Sequence, residues 1–179
     1  IKIPTIGRHN VLNATAAFAV GIQLGITPEL AAQALAGYVP SGMRQKVVVK
    51  AGKTVIEDCY NASPDSIKAS LSAFASMKTE GKKIAVLGDM LELGEFSEKA
   101  HREVGEKASS VGCEYVLTYG ELSQYICDEA LKNGCKAISY DDKEEMAKFL
   151  FDNLEKDDTV LFKGSRGMKM EEIFISLYK

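Results

Sequence analysis

Polar residues follow directly on a short apolar run within residues 54–66 (TVIEDCYNASPDS). The run predicts a β-strand, and Asp58 and Asn61 fall at its end, where such side chains are unusual unless they hold something polar. Ser63 and Pro64 then predict a helix that begins with Ser63 as its N-cap. The positive end of that helix would face Asp58 and Asn61, so the junction could hold an anionic ligand. An ordinary capped turn between a strand and a helix explains the same residues equally well.

A second group of residues that could bind an anion lies near the end of the chain. Lys163, Ser165 and Arg166 offer two cations and a hydroxyl on a loop with two glycines, which suits a carboxylate or a phosphate. The same loop could be flexible, with its cations solvated. In a third segment, Asp89 and Glu92 could orient these cations or bind an ammonium group, or could form an exposed acidic turn. What these segments do depends on whether the fold brings them together.

Alternating helix and strand patterns must position these polar segments. The predicted strands are 45–50, 54–58, 83–87, 114–118, 136–140 and 159–162, and the predicted helices between and after them are 64–77, 97–109, 121–132, 143–153 and 170–177. This order predicts an α/β fold, a Rossmann-like, doubly wound and mostly parallel sheet with helices on both faces. The carboxyl ends of parallel strands lie at one edge, where ligands bind. The three polar segments should therefore meet there, while the loops at 119–120 and 141–142 are short connections.

Two further helices, predicted over 9–24 and 28–36, precede the sheet. Together they have too little apolar surface to form a domain of their own. Proline and glycine in residues 38–44 place a domain boundary there. We therefore expect residues 1–40 to be the last helices of an upstream domain and residues 41–179 to be a complete α/β domain. The chain starts without methionine or a signal peptide, which indicates a piece of something longer.

The composition excludes several classes of protein. Apolar residues make up 46% of the chain and the net charge is −3, which indicates a soluble protein that binds neither nucleic acid nor membranes. No Gly-x-Gly-x-x-Gly follows a predicted strand, which disfavours a dinucleotide-binding domain. Four cysteines lack the spacing of a metal site or a CxxC pair and are expected to be reduced thiols in a cytoplasmic protein: Cys59, Cys113, Cys127 and Cys135.

Five segments, taken in order, resemble the Mur ligases of peptidoglycan synthesis. They are residues 7–13 (GRHNVLN), 42–44 (GMR), 57–64 (EDCYNASP), 86–94 (VLGDMLELG) and 163–168 (KGSRGM). The resemblance covers essentially the whole chain. The Tyr-Asn form of the third segment and the fourth segment resemble most closely the members of this family that add D-alanyl-D-alanine.

The resemblance implies ATP-dependent amide bond formation. The carboxylate of UDP-N-acetylmuramoyl-tripeptide would take the γ-phosphoryl group of ATP, and the amine of D-alanyl-D-alanine would attack the acyl phosphate. It also implies three domains, of which this chain would be the C-terminal Rossmann-like domain and the last helices of the central ATPase domain. The P-loop and the Mg²⁺ ligands would lie upstream, so we expect this piece to be inactive alone, to contain no metal ligand, and to belong to a monomeric, cytoplasmic enzyme.

The family's functional residues carry over to this chain by motif, in three groups. The resemblance implies nucleotide contacts for His9, Asn10, Asn13, Arg44 and Asp58, catalytic roles for Arg44, Asp58 and Lys163, and contacts with the dipeptide and the acyl phosphate for Tyr60, Asn61, Ser63, Ser165 and Arg166. Two alternatives stay open at this point. One is another Mur-type or folylpolyglutamate-synthase-like ligase, and the other is a module that binds a nucleotide or an anion without catalysis.

Overall fold

The computed structural model describes residues 1–39 and 42–177. The helices are α1 (Arg8–Gln23), α2 (Pro28–Ala36), α3 (Pro64–Ser76), α4 (Ser97–Ser109), α5 (Gln124–Lys132), α6 (Lys143–Asn153) and α7 (Glu171–Ser176). The strands are β1 (Lys46–Lys50), β2 (Lys53–Asp58), β3 (Lys83–Gly88), β4 (Tyr115–Tyr119), β5 (Ala137–Tyr140) and β6 (Thr159–Lys163). The domain boundary predicted between residues 40 and 41 falls on residues outside the described ranges.

The strands form one sheet in the order β1-β2-β6-β3-β4-β5. β1 and β2 make an antiparallel hairpin, and the other neighbouring pairs are parallel. Helices α3, α4 and α5 supply the apolar core on one face of the sheet, and α6 and α7 supply it on the other. The predicted α/β fold, a Rossmann-like and mostly parallel sheet with helices on both faces, is confirmed.

The order of the strands decides which loops are neighbours. β6 lies between β2 and β3, so that Lys163 pairs in register with Asp58 on one side and with Leu87 on the other. The three polar segments therefore follow three adjacent strands. The sequence pattern predicts that they share an edge of the sheet, but not this order.

The start of α3 is held by the polar residues that predict it. The Ser63 hydroxyl accepts a hydrogen bond from the Ser66 backbone N–H at 3.3 Å, and the Ser66 hydroxyl accepts one from the Ser63 N–H at 2.9 Å. This reciprocal capping box satisfies N–H groups that the first turn cannot pair, and Pro64 occupies the first helical position. The junction between β2 and α3 is therefore rigid on its helical side.

Helix α5 begins later than predicted, at Gln124. The Ser123 backbone N–H donates to Oδ1 of Asp89 at 2.6 Å, and the Ser123 hydroxyl donates to the Gly120 carbonyl at 2.9 Å. These two bonds hold the chain in a turn before the helix starts. They come from tertiary structure, so the helical pattern of residues 121–132 could not reveal them.

Helices α1 and α2 add little to the core. None of the residues of α1 is buried, and Ala31 is the buried residue of α2. Just before α1, Ile6 packs against the core on the α3 face of the sheet. The helical pair is thus joined to the sheet mainly through the start of α1. Among the described residues, no helix combines the length and the apolar character needed to cross a membrane.

Candidate functional site

A cavity of about 630 Å³ lies between α1, the end of β2 and the start of α3. Its walls contain nine of the eleven residues to which the sequence assigns site roles, namely His9, Asn10, Asn13, Arg44, Asp58, Tyr60, Asn61, Ser63 and Lys163. These residues come from distant parts of the chain, and the fold brings them to one place. The structure gives their arrangement, and their individual roles stay predictions.

A buried ion pair stands at the centre of the cavity wall. Lys163 Nζ lies 3.0 Å from Asp58 Oδ2, and the two side chains are only 3% and 11% exposed. The Ser70 hydroxyl donates to the same oxygen of Asp58 at 2.6 Å. Because both partners contact Oδ2, the other carboxylate oxygen remains available to a ligand in the cavity.

The ammonium group of Lys163 also fixes the loop after β2. Besides the Asp58 carboxylate, it reaches the backbone carbonyl of Asn61 at 3.0 Å and that of Asp58 at 3.4 Å. A lysine has three N–H donors, and all three have a protein acceptor here. Lys163 is therefore arranged to hold Asp58 and the loop in place, and would have to give up one of these bonds to touch a ligand.

Arg44 and Tyr60 form the exposed part of the wall. The guanidinium carbon of Arg44 lies 4.0 Å from the centre of the Tyr60 ring, and the Tyr60 backbone N–H donates to the Met43 carbonyl at 3.2 Å. Stacking uses the face of the guanidinium and leaves its N–H edge free for a carboxylate or a phosphate. The arrangement offers a positive charge at the mouth of the cavity.

Gln45 is a site residue that the sequence patterns do not predict. Its side-chain carbonyl accepts a hydrogen bond from the Asn10 amide at 2.6 Å, and its amide nitrogen lies 3.1 Å from His9 Nε2. It is 9% exposed and has a φ of +51°. Position beside Arg44 was the available signal, and glutamine alone gives no hint of such a role.

The structure does not bring Ser165 and Arg166 into the cavity. Ser165 is buried: its backbone N–H donates to the Asp89 carbonyl at 3.0 Å, and its hydroxyl accepts from the Leu91 N–H at 2.9 Å. Arg166 forms an ion pair with Glu171. The sequence groups both residues with Lys163 on the basic loop, residues 163–168. Of these three residues, Lys163 is the one that reaches the cavity.

The loop after β3 is also used internally. The Asp89 carboxylate binds the turn before α5, as described above, and Glu92 is exposed. His101, completely buried on α4, accepts a hydrogen bond from the Met90 N–H at 3.0 Å and donates from Nδ1 to the Ser97 carbonyl at 2.7 Å. Asp89 therefore does not orient the cations of the basic loop, and His101 has a structural role.

These contacts close the crevice between β3 and β6, where the direction of winding reverses and doubly wound sheets commonly bind ligands. A Cβ atom on Gly88 would lie 2.8 Å from the sulfur of Met170, and one on Gly164 would lie 3.1 Å from the Gly88 Cα. The two loops are thus packed backbone against backbone. The cavity that contains the predicted site residues lies one strand further, beside β2.

The charges of the ion pair affect the neighbouring thiol. Burial, and after it the adjacent Asp58 carboxylate, raise the pKa of Cys59 to about 12, while Lys163 acts in the opposite direction. The thiol therefore stays protonated at neutral pH. It packs against the core on the α7 face, which makes it a poor nucleophile.

We expect the free energy of unfolding to fall as the pH rises from about 9 towards 12. A cysteine in the unfolded chain ionises near its ordinary pKa of 9.0, whereas folded Cys59 keeps its proton until about 12. The contribution of the protonated Cys59 thiol to the free energy of unfolding is complete below pH 9.0 and is lost as the pH rises to about 12. Urea unfolding at about pH 7.5 and about pH 10.5, with reductant present, should show a smaller loss in Cys59→Ala than in the wild type. Equal losses would contradict the expectation.

No group of three or more His, Cys, Asp or Glu side chains within residues 1–39 and 42–177 could hold a metal ion. Asp58, the acidic residue deepest in the cavity wall, is already bound to Lys163 and Ser70. The donor set described here therefore does not fit a magnesium site.

Comparison with known proteins identifies relatives over nearly the whole chain. Residues 43–166 match the family model described as "Mur ligase, glutamate ligase domain". The UDP-N-acetylmuramoyl-tripeptide--D-alanyl-D-alanine ligase of Bacillus subtilis (strain 168) is 45% identical over 174 residues, which are 96% of this chain and 38% of the relative. The enzyme of the same name from Escherichia coli (strain K12) is 33% identical, with 99% of this chain and 38% of the relative covered.

Solved structures give the same result. The MurF ligase from Thermotoga maritima in complex with ADP superposes with a TM-score of 0.84 at 32% identity, over 97% of this chain and 39% of that chain. A MurF from Acinetobacter baumannii superposes with a TM-score of 0.89 at 28% identity, over 99% and 39%. The chain thus spans about two fifths of the length of the relatives that it matches.

Proposed function

Since this chain belongs to the Mur ligase family, we propose that it is the C-terminal part of an ATP-dependent ligase that adds D-alanyl-D-alanine to UDP-N-acetylmuramoyl-tripeptide. The observation that carries the proposal is the 45% identity with a ligase of this name over 96% of the chain. The cavity supports it, because its walls combine cationic, amide and carboxylate groups. The reaction would form a precursor of peptidoglycan.

The proposal includes the organisation of the whole enzyme. Residues 1–40 would end the central ATPase domain, and residues 41–179 would be the C-terminal domain. The exposed apolar side chains of α1 and α2 support this division, since a helix pair with one buried residue needs further chain to cover it. We take the enzyme to act as a monomer in the cytoplasm, in keeping with the four free thiols of this chain.

The cavity residues fall into three proposed groups. The nucleotide side would consist of His9, Asn10 and Asn13, the reacting side of Arg44, Asp58 and Lys163, and the dipeptide side of Tyr60, Asn61 and Ser63. Ser165 and Arg166, which lie outside the cavity, would act only by shaping the loop that carries Lys163. Contact of either residue with the dipeptide would require the loop to rearrange.

The geometry supports a division of work between the charged groups. ATP, when bound, supplies the phosphoryl group that activates the tripeptide carboxylate, and negative charge grows during both the phosphoryl transfer and the attack of the amine. The exposed guanidinium edge of Arg44 is suited to stabilise that charge. The free carboxylate oxygen of Asp58 is suited to accept a hydrogen bond from the dipeptide amine, and Lys163 keeps this oxygen in place.

The nucleotide fits the cavity better than a metal does. Amide side chains of α1 and the cation of Arg44 can recognise a base and phosphates, whereas the described residues offer no set of ligands for Mg²⁺. We therefore propose ATP as a substrate that this chain contacts. We propose that the Mg²⁺ implied by the family resemblance is held by residues of the enzyme outside this chain.

The test is a ligation assay with the intact enzyme that contains this chain. It is incubated with ATP, UDP-N-acetylmuramoyl-tripeptide and D-alanyl-D-alanine, and both phosphate release and the pentapeptide product are measured. We expect product that requires all three substrates. As a control, the dipeptide is replaced by single amino acids, which should give no product.

The other outcomes would each contradict a different part of the proposal. Turnover with a single amino acid but not with the dipeptide would indicate another Mur-type ligase. Nucleotide binding without turnover for any acceptor would indicate a binding module, and the proposed function would then be wrong.

A further inference from the structure

Gln45 connects the part of the cavity wall that α1 forms with the part that the sheet domain forms. Its single amide contacts Asn10 at 2.6 Å and His9 at 3.1 Å, and the Thr5 hydroxyl approaches the same carbonyl at 3.4 Å. His9 and Asn10 belong to α1, whereas Gln45 leads into β1 of the sheet. One side chain thus connects the helix to the sheet domain beside the cavity.

Few other contacts fix the orientation of α1. The helix has no buried residue, so apolar packing does not determine which side of it faces the cavity. Close packing occurs at its start, where Ile6 touches the core and Gly7 lies against Ala73. The hydrogen bonds of Gln45 are therefore the polar contacts best placed to orient His9 and Asn10.

The backbone at Gln45 supports a specific role. Its φ of +51° lies in the left-handed region, which side chains other than glycine and asparagine rarely adopt. A buried residue keeps such a conformation only when its surroundings impose it, and such residues cluster at binding sites. Here the residue with the unusual φ lies next to Arg44, and its side chain is hydrogen-bonded to α1.

The contacts of Asn10 determine which of its atoms can meet a ligand. Its amide nitrogen is directed at three acceptors, namely Thr5 Oγ1 at 2.9 Å, the Ile6 carbonyl at 2.7 Å and Gln45 Oε1 at 2.6 Å. With both amide hydrogens used by the protein, the Asn10 carbonyl oxygen remains. An acceptor at this point would favour adenine, which carries an amino group at C6, over guanine, which carries a carbonyl oxygen there.

We propose that Gln45 is a positioning residue that fixes Asn10 and His9 of α1 for recognition of an adenine nucleotide. The inference rests on the proposed function, because it assigns the nucleotide to this cavity. Gln45 acts through Asn10 and does not touch the base. Its loss would remove the 2.6 Å and 3.1 Å contacts that tie Asn10 and His9 to the sheet domain, and would leave Asn10 held only by Thr5 and Ile6 of its own segment.

The experiment measures binding of ADP and GDP to the intact enzyme by calorimetry. Gln45→Leu should weaken ADP binding about tenfold and change GDP binding less, so that the preference for ADP falls. The KM for the dipeptide should stay unchanged. Gln45→Glu keeps an acceptor for the Asn10 amide and should retain the preference for ADP.

Two glycine variants separate positioning from stability. Gln45→Gly removes the side chain and relieves the backbone, and it should lower ADP affinity without lowering the urea midpoint. Ala51→Gly is the matched control: Ala51 has a similar φ of +50° in the turn between β1 and β2, away from the cavity. It should leave both ADP and GDP binding unchanged.

The failure of this inference differs from failure of the proposed function. If the wild-type enzyme binds ADP and Gln45→Leu binds ADP and GDP as the wild type does, the role of Gln45 is wrong and the proposed function stands. If the wild-type enzyme does not bind ADP at all, the proposed function is wrong and the inference falls with it.

Discussion

Replacing Asp58 with alanine should lower the free energy of unfolding of this chain by about 3–5 kcal/mol. The change leaves the Lys163 ammonium, 3% exposed, without the carboxylate that lies 3.0 Å away. It also removes the acceptor of the Ser70 hydroxyl. An uncompensated charge in a buried position is among the most destabilising changes that a single substitution can make.

Urea unfolding of the wild type, Asp58→Ala and the double variant Asp58→Ala/Lys163→Met checks this expectation. The double variant should recover most of the loss, because an apolar pair has no charge to solvate. A matched control is the exposed pair of Lys148 and Asp152 on α6, whose side chains are 76% and 50% exposed. Asp152→Ala should cost less than about 1 kcal/mol. If Asp58→Ala costs no more than this control, the buried pair does not stabilise the fold.

The same burial determines how the role of Asp58 in ligation should be tested. A loss of turnover in Asp58→Ala would combine a chemical effect with partial unfolding. Asp58→Asn keeps the shape of the side chain and an oxygen that can accept from both Ser70 and Lys163. It still leaves the Lys163 ammonium without its countercharge, so a fall in activity is assigned to the missing charge only after urea unfolding shows that the variant is folded under the assay conditions.

The second large effect is expected at Gly120, in the turn after β4. This residue has a φ of +117°, and a Cβ atom there would lie 2.4 Å from Oδ1 of Asp89. That oxygen also accepts the Ser123 N–H, so it cannot move without breaking a buried hydrogen bond. Overpacking and backbone strain act together, and Gly120→Ala should be destabilised by about 3–5 kcal/mol.

Gly134 offers a matched control for Gly120. Its φ is +80°, and a Cβ atom there would meet nothing within 4 Å. Gly134→Ala therefore isolates the backbone strain, which should cost about 1–2 kcal/mol. Thermal or urea unfolding of both variants separates backbone strain, which both share, from the overpacking against Asp89, which only Gly120→Ala has. Similar losses at the two positions would show that the Asp89 carboxylate moves aside without cost.

The local patterns of the sequence predict most of the elements, because these depend on neighbours along the chain. The periodicity gives α4 and α6 with the observed ends, and the Ser63-Pro64 cap gives the start of α3. The alternation of strand and helix patterns also predicts that the polar loops meet at one edge of the sheet. Hydrophobic spacing and capping are local properties, so they can be recognised without knowledge of the fold.

The partners of the polar side chains could not be predicted from local patterns. Asp58 and Lys163 are 105 positions apart and become partners only because β6 lies between β2 and β3. Ser165 lies two positions after Lys163, a spacing that suggests the same side of the chain, yet its hydrogen bonds to Asp89 and Leu91 keep it buried outside the cavity. Gln45 stands next to Arg44 in the sequence, but its role depends on the position of α1, which local patterns do not give.

The closed crevice has a mechanical consequence. Ser165 binds the backbone on both sides of Met90, and Met90 is in turn held by His101 of α4. A ligand that shifted the backbone after Lys163 would therefore also strain the β3 loop and the attachment of α4, neither of which lines the cavity. The loop of residues 163–168 is therefore attached to the rest of the fold at both β3 and α4. A backbone shift in this loop on ligand binding should be accompanied by shifts in the β3 loop and at the start of α4.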